Sequence, residues 1–200
     1  MFHIKIYIAV SLFFYSGRFF GQQTYNDSLQ QYINNYVKHH EVVKGDEKKY
    51  FRFFPIDENY RVVADFQRSR GGNWFSIPTS GREKKLYKVF GTVSFKIHDT
   101  LLKLNLYQAE DLMADPKYKN YIVLMFTDKT TGEESYAAGR YLDFSTSDIK
   151  NSRITIDFNK AYNPYCAYVK DKYNCPIPPR ENALPVAIMA EEKTYGKRAE

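Results

Sequence analysis

The sequence predicts a mainly β fold of the α+β type: an antiparallel curved sheet, a sandwich or a partly open barrel with an N-terminal helical segment. Three observations lead to this prediction. Helical periodicity is confined to about residues 27–54, and apolar alternation with a period of two occupies about residues 60–189. The 18 tyrosines and 15 phenylalanines favour pleated, half-buried surfaces. The sequence contains no repeat or linker, so residues 22–200 are predicted to form one domain.

The first 21 residues have the pattern of a secretory signal peptide. Lys5 makes the start basic, an apolar run extends from Ile6 to Phe14, and Gly21 precedes polar residues at the expected cleavage point. This run is shorter than the roughly 20 residues that span a bilayer. A buried first strand is the alternative interpretation. We therefore expect an exported protein, periplasmic or extracellular, with no integral membrane segment in the mature chain.

The distribution of charge argues against nucleic acid as a partner. The net charge of +6 for the whole chain falls to +4 when Lys5 and Arg18 leave with the signal peptide. Basic and acidic residues are interspersed, as in Arg82-Glu83-Lys84-Lys85, so the sequence shows no basic stripe that would follow a phosphate backbone.

Two helices are predicted ahead of the strands. The first runs from the candidate caps Asn26-Asp27-Ser28 to about Val42. A shorter one starts at Gly45 and ends before Pro55, which disfavours helical backbone in the residue ahead of it. The first helix has an apolar face with the spacing of one helical side, formed by Leu29, Tyr32, Ile33, Tyr36 and Val37.

A long hairpin is the clearest strand signal. Apolar residues at alternate positions from Val89 to Ile97 face one side, and Leu102, Leu104 and Leu106 repeat that pattern after a turn at His98-Asp99. The other predicted strands are Tyr60–Phe66, Trp74–Ile77, Tyr121–Phe126, Tyr136–Phe144, Arg153–Phe158 and Ala183–Met189. Pro185 confines the last of these to a sheet edge or a bulge.

The chain has two cysteines, Cys166 and Cys175, within a proline-rich stretch near the C-terminus. In an oxidising compartment a pair this close is expected to form a structural disulfide. Such a short loop contributes roughly 2.5–3 kcal/mol on the chain-entropy model. A redox-active pair, a metal-binding pair and free thiols are the alternatives, although redox motifs favour Cys-x-x-Cys and zinc sites recruit further ligands.

Long C-terminal stretches carry a family resemblance. Asp157–Tyr168 and Tyr173–Pro185, together with Phe126–Asp128, Thr131–Tyr136 and Gly139–Leu142, resemble the signature of the DUF1684 family, a domain of unknown function. The resemblance extends from the first helix to about Lys193. It implies a fold and the location of a site, but no activity and no cofactor.

One position departs from this resemblance. Members of the family tend to have Ala-Gly-Glu-Lys after the last strand, where this chain has Ala190-Glu191-Glu192-Lys193. Glu191 therefore replaces a glycine, so the resemblance does not imply a tight turn or a close backbone approach there.

Five polar residues in the signature allow two interpretations. The first is that their side chains satisfy the backbone of an irregular loop, with Glu181 paired to an arginine. The second, which depends on the resemblance, is that two carboxylates and the amides converge on a sugar, a peptide end or a cation, or act as acid and base. The five residues are Asp157, Asn159, Asn163, Glu181 and Asn182.

Arg140 and Tyr141 complete the candidate binding residues. Arg140 either binds an anion of the ligand or, as we favour, pairs with a buried carboxylate such as Asp157 or Glu181 and so holds the loop on the sheet. No metal site is predicted, because the histidines of the mature chain are few and the pair His39-His40 is expected to be solvated at a helix end.

These features support three functional hypotheses. We favour an exported module that binds a small molecule, a glycan or an envelope protein beneath the loop between the cysteines. The second is a hydrolase that uses Asp157 and Glu181 as an acid/base pair, and the third is a structural or interaction domain without a pocket. The sequence has no nucleophile elbow, Walker loop, dinucleotide fingerprint or His-Glu-x-x-His motif.

Overall fold

A computed structural model describes the backbone of residues 16–196 and the side chains of residues 23–196. Most of the predicted signal peptide, residues 1–15, lies outside the described residues, and its predicted cleavage point at Gly21 falls within the first helix. Within the described part no helix combines the length and the apolar content that crossing a bilayer requires.

The predicted fold class is confirmed: one curled antiparallel sheet carries an N-terminal helix. The strand order is β6-β5-β4-β3-β1-β7, and β2 pairs with β3 off this path. The strands are β1 Arg61–Arg68, β2 Phe75–Pro78, β3 Lys84–Ile97, β4 Thr100–Ala109, β5 Tyr121–Phe126, β6 Arg140–Ser145 and β7 Arg153–Asp157. The α-helices are α1 Ser16–His39 and α2 Glu110–Met113. Short 3₁₀ helices span Gly45–Tyr50, Glu58–Tyr60, Pro116–Tyr118, Thr146–Asp148, Phe158–Lys160, Tyr165–Ala167 and Arg180–Asn182.

Helix α1 is longer than the sequence pattern indicates. It starts at Ser16, so the predicted caps Asn26-Asp27-Ser28 lie within the helix, and this boundary was wrong. Tyr25, which directly precedes these residues, lies within the helix and donates its hydroxyl to Asp157 at 3.0 Å, a tertiary contact of the kind that can override local capping preference. The predicted apolar face does point inward, with Leu29 and Ile33 buried.

The sheet buries apolar residues on both faces. The inner face holds the larger cluster, which includes Leu104, Leu106, Leu124 and Phe158. The outer face holds a smaller, tyrosine-rich cluster that includes Tyr107, Val123, Met125 and Tyr141. Burial on both faces explains why β5 is continuously apolar instead of alternating.

The predicted hairpin forms, but at the start of the apolar run the residue that faces the main core is not the predicted one. His98 and Asp99 both have positive φ, as a two-residue hairpin turn requires. A β-bulge between Val89 and Gly91 inserts Phe90, which turns Phe90 into the main core and Val89 to the outer cluster. Gly91 is required there, because a Cβ atom would lie 2.3 Å from the ring of Phe66.

The predicted last strand, Ala183–Met189, does not form. The segment after residue 182 runs irregularly and is held by single hydrogen bonds to distant parts of the chain. Leu184 donates to the carbonyl of Thr127 over 2.8 Å, and Lys193 donates to that of Arg52 over 2.9 Å. The alternation of apolar residues in this segment therefore reflects their burial, and the segment is not a strand of the sheet. Pro185 cannot donate a backbone hydrogen bond, and isolated contacts take the place of continuous strand pairing.

Candidate functional site

An open cleft of about 750 Å³ lies between α1, strand β6 and the loop from Cys166 to Cys175. The predicted disulfide between these cysteines is confirmed, and we call residues 166–175 the disulfide loop. Tyrosines dominate the walls of this cleft, which we call the tyrosine cleft. Its tyrosine lining comprises Tyr32, Tyr36, Tyr141, Tyr162, Tyr165 and Tyr173.

Tyr141 fastens the disulfide-loop side of the cleft to the sheet. Its buried hydroxyl donates to the carbonyl oxygen of Pro176, directly after the loop. Its backbone exchanges two hydrogen bonds with Tyr162, of 2.9 and 3.0 Å. Burial raises the pKa of the Tyr141 hydroxyl well above its usual value, so this group serves as a neutral donor.

Asp143 occupies the floor of the tyrosine cleft and is not among the candidate residues predicted from the sequence. Its Oδ1 accepts hydrogen bonds from the hydroxyls of Tyr121, at 2.7 Å, and Tyr162, at 2.6 Å. Within the described residues its Oδ2 has no hydrogen-bond partner, and the side chain is accessible to solvent. The surrounding protein raises the pKa of this carboxyl, while the two tyrosine hydrogen bonds oppose the rise. The sequence feature that could have identified Asp143 is its position as the single charged residue in the run Tyr141-Leu142-Asp143-Phe144.

The mouth of the cleft presents aromatic rings together with charges. Tyr165 and Tyr173 are half-buried, and their ring centroids lie 5.1 Å apart. The hydroxyl of Tyr165 donates to Glu41 over 2.5 Å, which ties the mouth to the end of α1. Lys85 and Lys172 also border the opening.

His40 is buried beside this cleft, so the expectation that it is solvated was wrong. Its ring packs edge-to-face against Tyr36 and Tyr168, with centroid distances of 5.3 and 4.6 Å. Nδ1 accepts a hydrogen bond from the backbone of Val43 at 2.9 Å, whereas Nε2 has no partner among the described residues. Burial, followed by the nearby Lys44, lowers the pKa of His40 to about 4. His39 is exposed, as expected.

Glu192 lies completely buried behind the cleft and joins three parts of the chain. Its Oε2 accepts from the hydroxyl of Tyr36 on α1 and from the backbone N–H of Asn163, both over 3.0 Å. The hydroxyl of Tyr168 in the disulfide loop lies 2.6 Å from Oε1. Burial raises the pKa of Glu192 to about 7, although these hydrogen bonds act in the opposite direction.

Glu191 combines backbone strain with a buried carboxyl. Its φ is +59°, in the left-handed region that favours glycine, and it stands where the family resemblance has glycine. Its Oε2 is buried and has no partner in the described part of the chain. Burial, then the charges of Glu192 and Asp157, raise the pKa of this carboxyl well above its usual value.

Glu191→Gly is expected to raise the free energy of unfolding by roughly 1–3 kcal/mol, because it removes left-handed strain and an unpaired buried carboxyl. Urea denaturation at pH 7 measures the change. Asp99→Gly is the matched control, since Asp99 has a φ of +63° but is exposed, and its stability should change by less than about 1 kcal/mol. A destabilised Glu191→Gly variant would show that the carboxyl makes a net favourable contact.

The side chains of Asp157 and Asn159 are hydrogen-bonded to each other. Their other hydrogen-bond partners lie on α1 and at Asp57, directly before the 3₁₀ helix Glu58–Tyr60. Asp157 Oδ1 accepts from the Tyr25 hydroxyl at 3.0 Å and from the amide nitrogen of Asn159 at 3.1 Å. Asn159 Nδ2 also donates to the carbonyl of Asp57 at 2.8 Å, and Asn159 Oδ1 accepts from the backbone N–H of that residue at 3.0 Å. The side-chain amide of Asn159 therefore already forms hydrogen bonds to neighbouring segments of the chain.

Asn182 lies elsewhere, between strands β4 and β5. These strands separate near Asn105 and Met125, where the Asn182 side chain inserts. Its Oδ1 accepts from Asn105 N at 2.8 Å, and its Nδ2 donates to the carbonyls of Asn105 at 2.9 Å and Met125 at 2.7 Å. Glu181 is exposed and interacts electrostatically with Tyr107 of the outer cluster. The structure therefore does not bring Glu181 and Asn182 into contact with Asp157 and Asn159.

Arg140 forms a buried ion pair as predicted, but its partner is neither of the two carboxylates that were predicted. Its guanidinium donates to Asp128 over 2.8 Å and to the carbonyls of Ala190 and Ile188 over 2.6 and 2.8 Å. Pairing with Asp157 or Glu181 was therefore wrong, while the predicted connection between sheet and C-terminal segment is present. Asp128 was named only as part of the stretch Phe126–Asp128 that carries the family resemblance, and its long-range contact with Arg140 carried no local signal.

Asn163 bridges the C-terminal segment, with its Nδ2 donating to the carbonyl of Lys193 at 2.8 Å. Its buried Oδ1 has no hydrogen-bond partner in residues 23–196. Over the same residues, no group of three or more His, Cys, Asp and Glu side chains is arranged to hold a metal ion.

Comparisons with known proteins identify relatives without an assigned function. An uncharacterized protein of Haloarcula marismortui, solved by NMR in solution, is similar with 28% sequence identity and a TM-score of 0.63. The match covers 87% of this chain and 96% of that one. No curated protein matches the chain. The family model described as "Protein of unknown function (DUF1684)" matches residues 49–193, and the chain therefore belongs to the DUF1684 family.

Proposed function

We propose that this protein is an exported module that binds a sugar-like small molecule in the tyrosine cleft. One observation carries the proposal: the free carboxylate oxygen of Asp143 and the rings of Tyr165 and Tyr173 border the same open space. Sugar rings present C–H groups that pack on aromatic faces and hydroxyls that donate to a carboxylate. The volume of about 750 Å³ falls within the roughly 300–1,000 Å³ of small-molecule sites.

The walls at the mouth of the tyrosine cleft are held in place by contacts within the protein, so their conformation does not depend on a bound ligand. The Cys166–Cys175 disulfide fixes one wall, and the Tyr141 hydroxyl attaches the chain after it to β6. Walls that are already ordered reduce the conformational entropy lost on binding. A concave site of this kind favours a small molecule or the end of a glycan over the flat surface of an envelope protein.

Export is supported by two features of the chain. Residues 1–21 have the basic and apolar pattern of a signal peptide, and the two cysteines form a disulfide. Disulfides persist mainly in oxidising compartments such as the periplasm and the extracellular space. A glycan of the cell envelope or its surroundings is then an accessible ligand.

Isothermal titration calorimetry with mono- and disaccharides, and with amino acids and nucleotides as comparison classes, tests the proposal. We expect disaccharides to bind and Asp143→Asn to weaken their binding at least tenfold, because the amide replaces a free acceptor oxygen with a donor. Tyr173→Ala should also weaken binding, whereas Trp74→Ala, an exposed aromatic outside the cleft, should not. Binding of amino acids or nucleotides alone, or full affinity in Asp143→Asn, would refute the assignment.

The hydrolase hypothesis requires Asp157 and Glu181 to act at one site. Asp157 is buried against Tyr25 and Asn159, while Glu181 is exposed near the outer cluster. The contacts of these two carboxylates give no support to an acid/base pair, so we do not extend the proposal to hydrolysis.

A further inference from the structure

A second cavity, of about 600 Å³, adjoins the tyrosine cleft. Three residues line both spaces: Tyr32 from α1, Asp143 from β6 and Tyr162. Asp143 therefore lies at the junction of two cavities, not at a closed end. A ligand that contacts Asp143 in the tyrosine cleft can continue past Tyr32 into the second cavity.

The second cavity has three basic side chains that lack an ionic partner. Arg61, Lys150 and Lys160 line it, and within residues 23–196 none of them lies within 4.0 Å of a carboxylate oxygen. Arg61 and Lys160 instead lie over the rings of Tyr25 and Tyr32, at 5.7 and 5.4 Å from the centroids. Because all three are exposed, their charged groups are available to a ligand.

The three acidic residues of this cavity, Asp143, Asp148 and Asp157, accept hydrogen bonds from neutral donors, which for Asp143 are the hydroxyls of Tyr121 and Tyr162. Asp157 Oδ1 accepts from the Tyr25 hydroxyl and from Asn159. Asp148 Oδ2 accepts from the backbone N–H of Ser145 at 2.8 Å, as part of a capping box. These carboxylates are stabilised without the basic residues, which leaves the three cations to interact with another anion.

We infer that the second cavity binds the acidic group of the same ligand, so that the ligand is an acidic oligosaccharide such as a uronate or a sulfated sugar. This inference rests on the proposed function of the tyrosine cleft. One sugar ring contacts Tyr165, Tyr173 and Asp143, and its neighbour places a carboxylate or sulfate among Arg61, Lys150 and Lys160. The net charge of +4 that remains after Lys5 and Arg18 leave with the predicted signal peptide favours encounter with an anionic glycan.

Calorimetric titration with matched disaccharide pairs tests this inference, using digalactose against digalacturonate and cellobiose against its uronate and 6-sulfate. We expect each acidic member to bind at least tenfold more tightly than its neutral counterpart at low salt. This ratio should shrink at least threefold in Lys160→Gln and in Arg61→Gln, since each removes one cation. Lys103→Gln is the matched control, because Lys103 is an exposed lysine on β4 outside both cavities.

The outcomes separate the inference from the proposed function. Equal affinity for acidic and neutral members, with binding abolished in Asp143→Asn, overturns only the acidic subsite. A preference for acidic sugars that Lys160→Gln and Arg61→Gln leave unchanged also overturns it. Absence of binding by every disaccharide overturns the sugar assignment as well. A preference for the sulfate over the uronate, lost in the same variants, supports the subsite and identifies the acidic group.

Discussion

Arg140→Met is expected to lower the free energy of unfolding by about 3–5 kcal/mol, the largest effect of any single substitution that we propose. The guanidinium is 1% exposed and holds Asp128 together with two carbonyls of the C-terminal segment. Methionine fills much of the volume but leaves a buried carboxylate and two carbonyl oxygens without their donor. Urea denaturation monitored by tryptophan fluorescence measures the loss.

A double-mutant cycle with Asp128→Asn distinguishes loss of the ion pair from loss of packing. The double variant should be more stable than the sum of the single effects indicates, because the unpaired charge is then absent. Arg153→Met is the matched control. Its partner is Asp65, at 3.4 Å, in a pair whose side chains are 66% and 78% exposed, so its effect should stay below about 1 kcal/mol. Equal losses in Arg140→Met and Arg153→Met would contradict the role assigned to burial.

Glu192→Gln is expected to change how stability depends on pH. The folded protein raises the pKa of Glu192 from 4.5 to about 7, so between these values the folded state holds a proton that the unfolded state has released. The contribution of Glu192 to stability is therefore complete below pH 4.5 and is lost as the pH rises to about 7. Glutamine does not titrate, so the variant should gain about 3 kcal/mol relative to the wild type over this interval.

The contribution of His40 to stability depends on pH in the opposite direction over much of the same pH range. Its pKa is lowered from 6.5 to about 4, so the stability contributed by the neutral ring is lost as the pH falls between these values. The slope from His40 opposes that from Glu192, but Glu191, whose pKa burial also raises, adds to the slope of Glu192. The wild type should therefore lose stability as the pH rises from 4.5 to 6.5. Relative to the wild type, His40→Gln should gain stability as the pH falls, and Glu192→Gln as it rises. Guanidinium denaturation from pH 4 to 8 measures both, and parallel curves for variants and wild type would contradict the assignments.

Local patterns were sufficient for much of the fold. The helical spacing from Leu29 to Val37 identified the buried side of α1, and the alternation around His98-Asp99 identified the hairpin of β3 and β4. Both features arise from contacts between neighbouring residues or adjacent strands, which hydrophobic periodicity records directly. The inserted Phe90 was missed, because a bulge changes the face without interrupting the apolar run.

The candidate site depended on contacts that local patterns do not record. Charged residues are usually exposed, so two adjacent glutamates gave no reason to expect Glu191 and Glu192 in the interior. Arg140 pairs with Asp128 and also donates to two carbonyls about 50 residues later in the chain, and a local pattern cannot indicate such contacts. The loop containing Cys166 and Cys175 was predicted to cover a site and contributes Tyr173 and Cys175 to the tyrosine cleft. Asp143 comes from β6, and Tyr32 and Tyr36 come from α1, so no single local pattern links these residues.

The position of Asn182 between β4 and β5 has a consequence for the order of folding. Its side chain supplies the hydrogen bonds that join Asn105 to Met125, 77 and 57 residues away in the chain. Contacts of such high sequence separation slow the folding of a domain, because a long segment must be ordered before they form. The hydrogen bonding between β4 and β5 therefore cannot be completed until the segment that contains Asn182 is in place.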